Sequence, residues 1–257
     1  MKYWLWAFYI VLALVAPNAL AEPEPTNPEQ HTPDPLTSLY MIRIDSINKD
    51  AFEKALIDHM QFRAKQNEQN NWQVYTQVIG EDLNMYMLRS CCTNWDKIEE
   101  HNAWAVMSNT AQHWRDNVSQ YVVDSARYFS RIDRDNSHWD SSKVYKYFGV
   151  ESLTVAPGKG FAARAGIKAI SAAAKQMQWP DSWAWHTRIG GEAQIQLVFG
   201  YDSYADMMPP EKNFYQRLSE HLTSEQAAQA MISEYKSAFL SSNYAIYVYR
   251  KGLSSPE

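Results

Sequence analysis

Apolar positions along this chain switch between a period of two and a period of 3.6, and the same switching occurs twice. Residues 39–44, LYMIRI, form a short β-branched and aromatic run, the composition of a strand. Residues 49–66 then bring Ala51, Phe52, Ala55, Leu56, His59, Met60 and Arg63 onto one face of a helix. Two strands are predicted on either side of the turn Gly80-Glu81-Asp82. Helix follows over WDKIEEHNAW and again over residues 109–126, where Ala111, Trp114, Val118, Tyr121, Val122 and Ser125 share a face. RYFSRI, residues 127–132, closes the series as a strand.

The second half repeats that order. VYKYFGVESLTV (144–155) leads to a small-residue helix at 160–176, a hairpin at Gly190-Gly191, a helix over 223–240 and the strand YAIYVYR (244–250). When residues 78–95 are set over 188–204, Ile79-Gly80 falls on Ile189-Gly190, and Leu83, Met85 and Met87 fall on Ala193, Ile195 and Leu197. A duplication at a spacing of about 110 residues accounts for this. Strand-helix-strand-strand-helix-strand is the ferredoxin-like unit. One such unit covers only one face of its sheet with helices, so two units are expected to pack sheet to sheet. The predicted fold is therefore α+β: two tandem ferredoxin-like units, 37–135 and 143–251, forming a single-chain α+β barrel with a flexible tail at 252–257.

This alignment carries an expectation about facing. Leu83, Met85 and Met87 are read as covered by helices, as are Ala193, Ile195 and Leu197. Asn84, Tyr86 and Leu88, with Gln194, Gln196 and Val198, are then read as lining the space between the sheets. That lining is either a ligand cavity or a hydrogen-bonded interface.

The N-terminal residues change the picture of where the barrel resides. Residues 1–21 run from Lys2 through an apolar stretch to Ala19-Leu20-Ala21, the order of a secretory signal peptide, and no stable membrane insertion is expected after its cleavage. Residues 22–36 are rich in proline and acids and read as a disordered tether. A periplasmic or secreted protein is expected. The formal charge of −5 without a basic stripe gives nucleic acid little to hold. Ten Trp and sixteen Tyr suit cores, interfaces and ligand pockets.

The W-x-x-Y run at 72–75, the glycine turn, the aromatic strand and then NWDKIEE together resemble the dimeric α+β barrel superfamily, which includes antibiotic-biosynthesis monooxygenase-like, NIPSNAP-like and stress-responsive A/B barrel proteins. The resemblance covers most of residues 38–251, with two fused units in place of a dimer. Its cofactor-free oxygenases imply aromatic and amide side chains around a phenol or quinol, for which Trp72, Tyr75, Asn84 and Tyr86 are available. Its haem-degrading branch implies an Asn, a Trp and an axial His. Asn84, Trp95 or Trp104, and His101 or His113 supply those residue types without a matching motif.

The remaining chemistry is sparse. His59 and His186 are the histidines best placed for acid-base work and, with Tyr75, are the catalytic candidates. No histidine spacing suits a metal, and no metal or cofactor is expected. APGKG (156–160) lacks the second glycine and the Lys-Ser/Thr of a phosphate loop. Cys91 and Cys92 are adjacent; they can bond to each other, cross-link chains or stay reduced. Three functions remain open: a binder of a small hydrophobic or aromatic molecule through Trp72, Asn84, Tyr86, Gln194 and Gln196, an oxygenase-like enzyme, or a structural or stress-related interaction protein. A homodimer stays open as well.

Overall fold

The first half runs β1 (Leu36–Ile44), α1 (Lys49–Lys65), β2 (Trp72–Ile79), β3 (Met85–Thr93), α2 (Trp95–Met107), α3 (Thr110–Asn117) and β4 (Val122–His138). The second runs β5 (Tyr147–Val155), α4 (Gly160–Gln176), β6 (Trp183–Ile189), β7 (Gln194–Tyr201), α5 (Phe214–His221), α6 (Glu225–Lys236) and β8 (Phe239–Tyr249). This computed structural model describes residues 35–256, so the expectations for 1–21 and nearly all of 22–36 lie outside the described residues.

The eight strands close into one barrel in the order β1-β3-β2-β8-β5-β7-β6-β4, and every pairing is antiparallel. Each half contributes four consecutive strands. The halves join at two seams, β2 with β8 and β4 with β6. Closure removes the sheet edges and leaves two separate places for side chains: under the helices, and in the lumen. The expected α+β architecture is observed.

Each half buries its own layer between sheet and helices. In the first, Phe52 and Leu56 of α1 are fully buried against Ile42, Val74, Tyr86 and Leu88, each large apolar side chain contributing roughly 1.5–3 kcal/mol. In the second, Ile167 and Ala163 of α4 pack on Leu153, Trp185 and Ile195. The alanines and Gly166 of α4 let α6 approach closely: a Cβ at Gly166 would lie 3.2 Å from the Tyr235 Cα. The hairpin turns need glycine where it was predicted, with φ of 135° at Gly80 and 96° at Gly190. Asn94 caps α2 through the Lys97 amide, and Asn213 forms a capping box with Gln216 on α5.

Several boundaries differ from the sequence reading: β1 already begins at Leu36, a buried residue inside the expected tether, and β4 runs on to His138, past the expected strand end at Ile132 and unit end at 135. The helix expected over 109–126 ends at Asn117, and Val122 to Asp124 instead pair with Ile44 and Arg43 of β1. The β-branched pair Val122-Val123 favours the strand once a partner is available. The helix expected over 223–240 likewise stops at Lys236, since Phe239 pairs with Val155. In place of a flexible tail, residues 251–255 are held against β2. There the Trp72 amide donates to Ser255 Oγ at 2.9 Å, the Val74 amide donates to Ser254 Oγ at 2.9 Å, and Leu253 is buried. No helix among the described residues is long and apolar enough to cross a membrane.

Candidate functional site

The barrel is hollow. A cavity of about 750 Å³ opens among side chains from all eight strands and from the segment between β4 and β5, within the size range of small-molecule sites. Strand periodicity decides which residues reach it, because alternate side chains face the lumen. On β7, Gln196 and Val198 line the cavity while Ile195 packs under the helices, as expected. On β3 the expectation is reversed. Met87 and Arg89 line the lumen, and Tyr86 and Leu88 lie in the helix-covered core.

The pairing explains the reversal. Ile42 of β1 faces Tyr86, and Leu153 of β5 faces Ile195, so Tyr86 rather than Met85 is the counterpart of Ile195. The sequence alignment was one residue out of register in this hairpin. A one-residue slip sends every side chain of a strand to the other face.

The residues singled out from sequence therefore separate. Tyr75, His186 and Gln196 line the lumen. Gln194 is half-buried near one end, accepting from Arg188 at 2.5 Å. Asn84 is exposed in the turn before β3, with Leu83 beside it 62% exposed. Tyr86 is buried under α1 and donates to Glu53 Oε1 at 2.6 Å. Burial and that carboxylate push its phenol well above the ordinary range. Trp72 is buried in the first helical layer, its indole donating to Glu68 Oε1 at 3.0 Å. His59 belongs to the same layer.

That layer contains a polar cluster of its own. Arg63 makes a two-pronged ion pair with Glu68, which also accepts from His101 at 2.7 Å. His59 Nδ1 lies 3.1 Å from His113 Nδ1. Burial, then the Arg63 charge, lowers the His59 pKa to about 3, so the imidazole is neutral at ordinary pH. Burial alone would raise the Glu68 pKa, but hydrogen bonds from His101 and Arg63 hold it below the usual value. The cluster is internally satisfied and closed by rings, with His113 stacked on Phe62 and His101 on Trp104. Haem does not fit here: both histidines offered as axial ligands are engaged in this packed layer.

The lumen has two characters. Its apolar side is built from Phe148, Val150, Val198, Met87 and the rings of Tyr75 and Tyr249, with Tyr75 edge-on to Phe148 at 5.1 Å. Its polar side is built around Arg89, which sequence reasoning did not single out. Arg89 donates from Nη1 to Gln73 Oε1 at 2.9 Å, and the Tyr75 hydroxyl donates to the same oxygen at 3.1 Å. Beside it His186 Nδ1 lies 3.3 Å from Ser130 Oγ. Burial, then the Arg89 charge, lowers the His186 pKa to about 3. The signal in the sequence was an arginine two residues beyond Met87, visible as a lumen position only in the correct register.

Cys91 and Cys92 form a vicinal disulfide on the cavity wall. Leu36 pairs with Thr93 and Thr37 with Cys91, so Cys92 is the extra residue of a bulge. The bulge breaks the alternation that would otherwise send the two side chains to opposite faces.

No family model and no curated protein matches this sequence. Solved structures do share the fold. A protein of Lactobacillus acidophilus NCFM assigned as a monooxygenase superposes with a TM-score of 0.52 at 8% identity, over 84% of this chain and 94% of its own. One from Fusobacterium nucleatum subsp. nucleatum, similarly assigned, gives 0.53 at 11% identity, over 88% and 96%. A double mutant of chlorite dismutase from Candidatus Nitrospira defluvii gives 0.55 at 7% identity, over 86% and 94%. At such identities the likeness establishes a shared ferredoxin-like α+β fold.

Proposed function

We propose that this protein is an exported binder that takes a small, largely apolar or aromatic molecule into the barrel lumen, and that it is a fused, single-chain relative of the dimeric α+β barrel superfamily. The observation that carries the reading is the lumen itself: about 750 Å³, with one apolar wall and a few convergent polar groups. That combination of shape-filling surface and sparse orienting groups is what small-molecule sites use. Export rests on the N-terminal sequence pattern. The Cys91–Cys92 disulfide supports it, since disulfides persist in oxidising compartments.

Fluorescence titration with N-phenyl-1-naphthylamine, an uncharged aromatic probe, tests the reading. Saturable binding by the native protein is expected. Its loss is expected in Val198→Trp, which fills the lumen, provided that variant still melts cooperatively. Binding unchanged in Val198→Trp contradicts the lumen as the site.

An oxygenase-like activity is the second reading. It is favoured by one observation, that Tyr75 and a neutral His186 share the lumen wall. Oxygen uptake with a naphthohydroquinone above its autoxidation rate, abolished in His186→Ala, supports it. Uptake equal to the protein-free rate leaves the binder alone.

A further inference from the structure

Resting on the reading of the lumen as a binding site, we propose that its ligand is an organic anion: a carboxylate or sulfonate held by Arg89, with an apolar or aromatic body lying against Met87, Phe148, Val150 and Val198. Charge is the first argument. Arg89 projects from the middle of the barrel wall into the cavity, and among the described residues no aspartate or glutamate lines it. Among the described residues no ion pair satisfies Arg89; its partners are the neutral Gln73 and Tyr75. A guanidinium carries five N–H donors in a planar fork that matches a carboxylate. Keeping such a charge in a protein interior opposite neutral groups is unfavourable unless something anionic meets it.

The neighbours of Arg89 point the same way. His186 is held neutral, so it adds no second charge yet offers hydrogen-bonding nitrogens beside the guanidinium. Thr37 is fully buried, lines the same wall one rung nearer the rim, and its hydroxyl has no hydrogen-bond partner among the described residues. An anion's second oxygen would satisfy a hydroxyl of this kind. At the rim, Arg134, His138 and Lys143 also line the cavity. Lys143 lies 4.0 Å from Asp140 in addition. The path inward therefore carries positive charge, although the chain as a whole is acidic, and a field of that sign draws anions toward a cleft.

The apolar wall restricts the ligand to anions with a hydrophobic body. An inorganic ion would leave the Phe148, Val150 and Val198 side of a cavity this size unfilled, whereas an aromatic or branched aliphatic acid buries both ends of itself at once.

Two probes with one ring system test this. 1-Anilinonaphthalene-8-sulfonate carries a sulfonate that N-phenyl-1-naphthylamine lacks. The native protein is expected to bind the sulfonate about ten- to a hundredfold more tightly, the range for a charge-assisted pair. In Arg89→Gln the two affinities are expected to converge to within about threefold, chiefly through weaker sulfonate binding, while Arg89→Lys retains part of the preference. Equal affinities in the native protein overturn the proposal, as does a preference that survives in Arg89→Gln. If Arg89→Gln fails to melt cooperatively, the native ratio and the Arg89→Lys ratio decide. Lumen binding of the neutral probe without preference for the sulfonate removes the anion and leaves the binder standing. Binding of neither probe removes both.

Discussion

The guanidinium of Arg89 reaches across from β3 to the side-chain oxygen of Gln73 on β2, 2.9 Å away, so the charge in the barrel lumen is met by a neutral amide rather than a carboxylate. Burial lowers the pKa of Arg89, and an arginine remains charged even so. A group of this kind weighs on the folded state and is expected to serve binding more than stability.

Arg89→Met is accordingly expected to raise the unfolding free energy, by about 1 kcal/mol or more, since it replaces a poorly compensated charge with a flexible apolar side chain of similar length. Urea denaturation measures this. A loss approaching about 3–5 kcal/mol, the scale of disrupting a buried ion pair, would mark Arg89 as a structural residue.

The two faces of β3 can be separated by mutation. Leu88→Ala empties space under α1 and is expected to cost about 2–5 kcal/mol while leaving probe affinity unchanged in the folded protein. Met87→Trp intrudes on the lumen and is expected to abolish probe binding. The opposite pattern, with binding lost at Leu88 and retained at Met87, would restore the facing that the repeat alignment had indicated.

Acid stability follows from the two histidines held neutral. Both His59 and His186 have a pKa of about 3 in the folded protein against 6.5 for the free side chain. Between those values the unfolded chain binds the proton and the folded one does not, so stability is fully present above about 6.5 and falls as pH drops toward 3. A loss of about 1 to 2 kcal/mol per histidine is expected near pH 5. Denaturant midpoints taken from pH 7.5 to 4.5 check this, and His59→Gln should flatten part of the slope. A midpoint constant down to pH 5 would contradict the buried, neutral state of these rings.

Much of the fold was legible because its signals are local. The period of α4 placed it at residues 160–176, where it is observed. The two hairpins were marked by glycines that adopt positive φ. The closed barrel followed from a physical need: two sheets, each with one uncovered face. The helix ends were less legible, because at Val122 and Phe239 strand pairing with a distant partner overrides helical periodicity.

Register was the part the sequence could not fix. Glycine turns anchor the hairpins to within a residue, yet one residue decides whether Tyr86 or Met87 faces the lumen. In the second half the turn and strand happened to align, so Gln196 and Val198 were assigned to the lumen they line. In the first half they do not, and only the observed register turns Arg89 toward the lumen. Trp72 and His59 attract attention as chemistry because they are aromatic or titratable, but Trp72 is engaged by Glu68 four residues before it and His59 by His113, 54 residues away on α3, a pairing that no local pattern shows.

The most direct test of the central claim is a crystal structure with 4-bromobenzoate, whose bromine locates the ring independently of the protein density. The account predicts an anomalous peak inside the barrel near Phe148, Val150 and Val198, with the carboxylate hydrogen-bonded to Arg89. A bromine found only under the helices or on the outer surface, with none in the lumen, would contradict it.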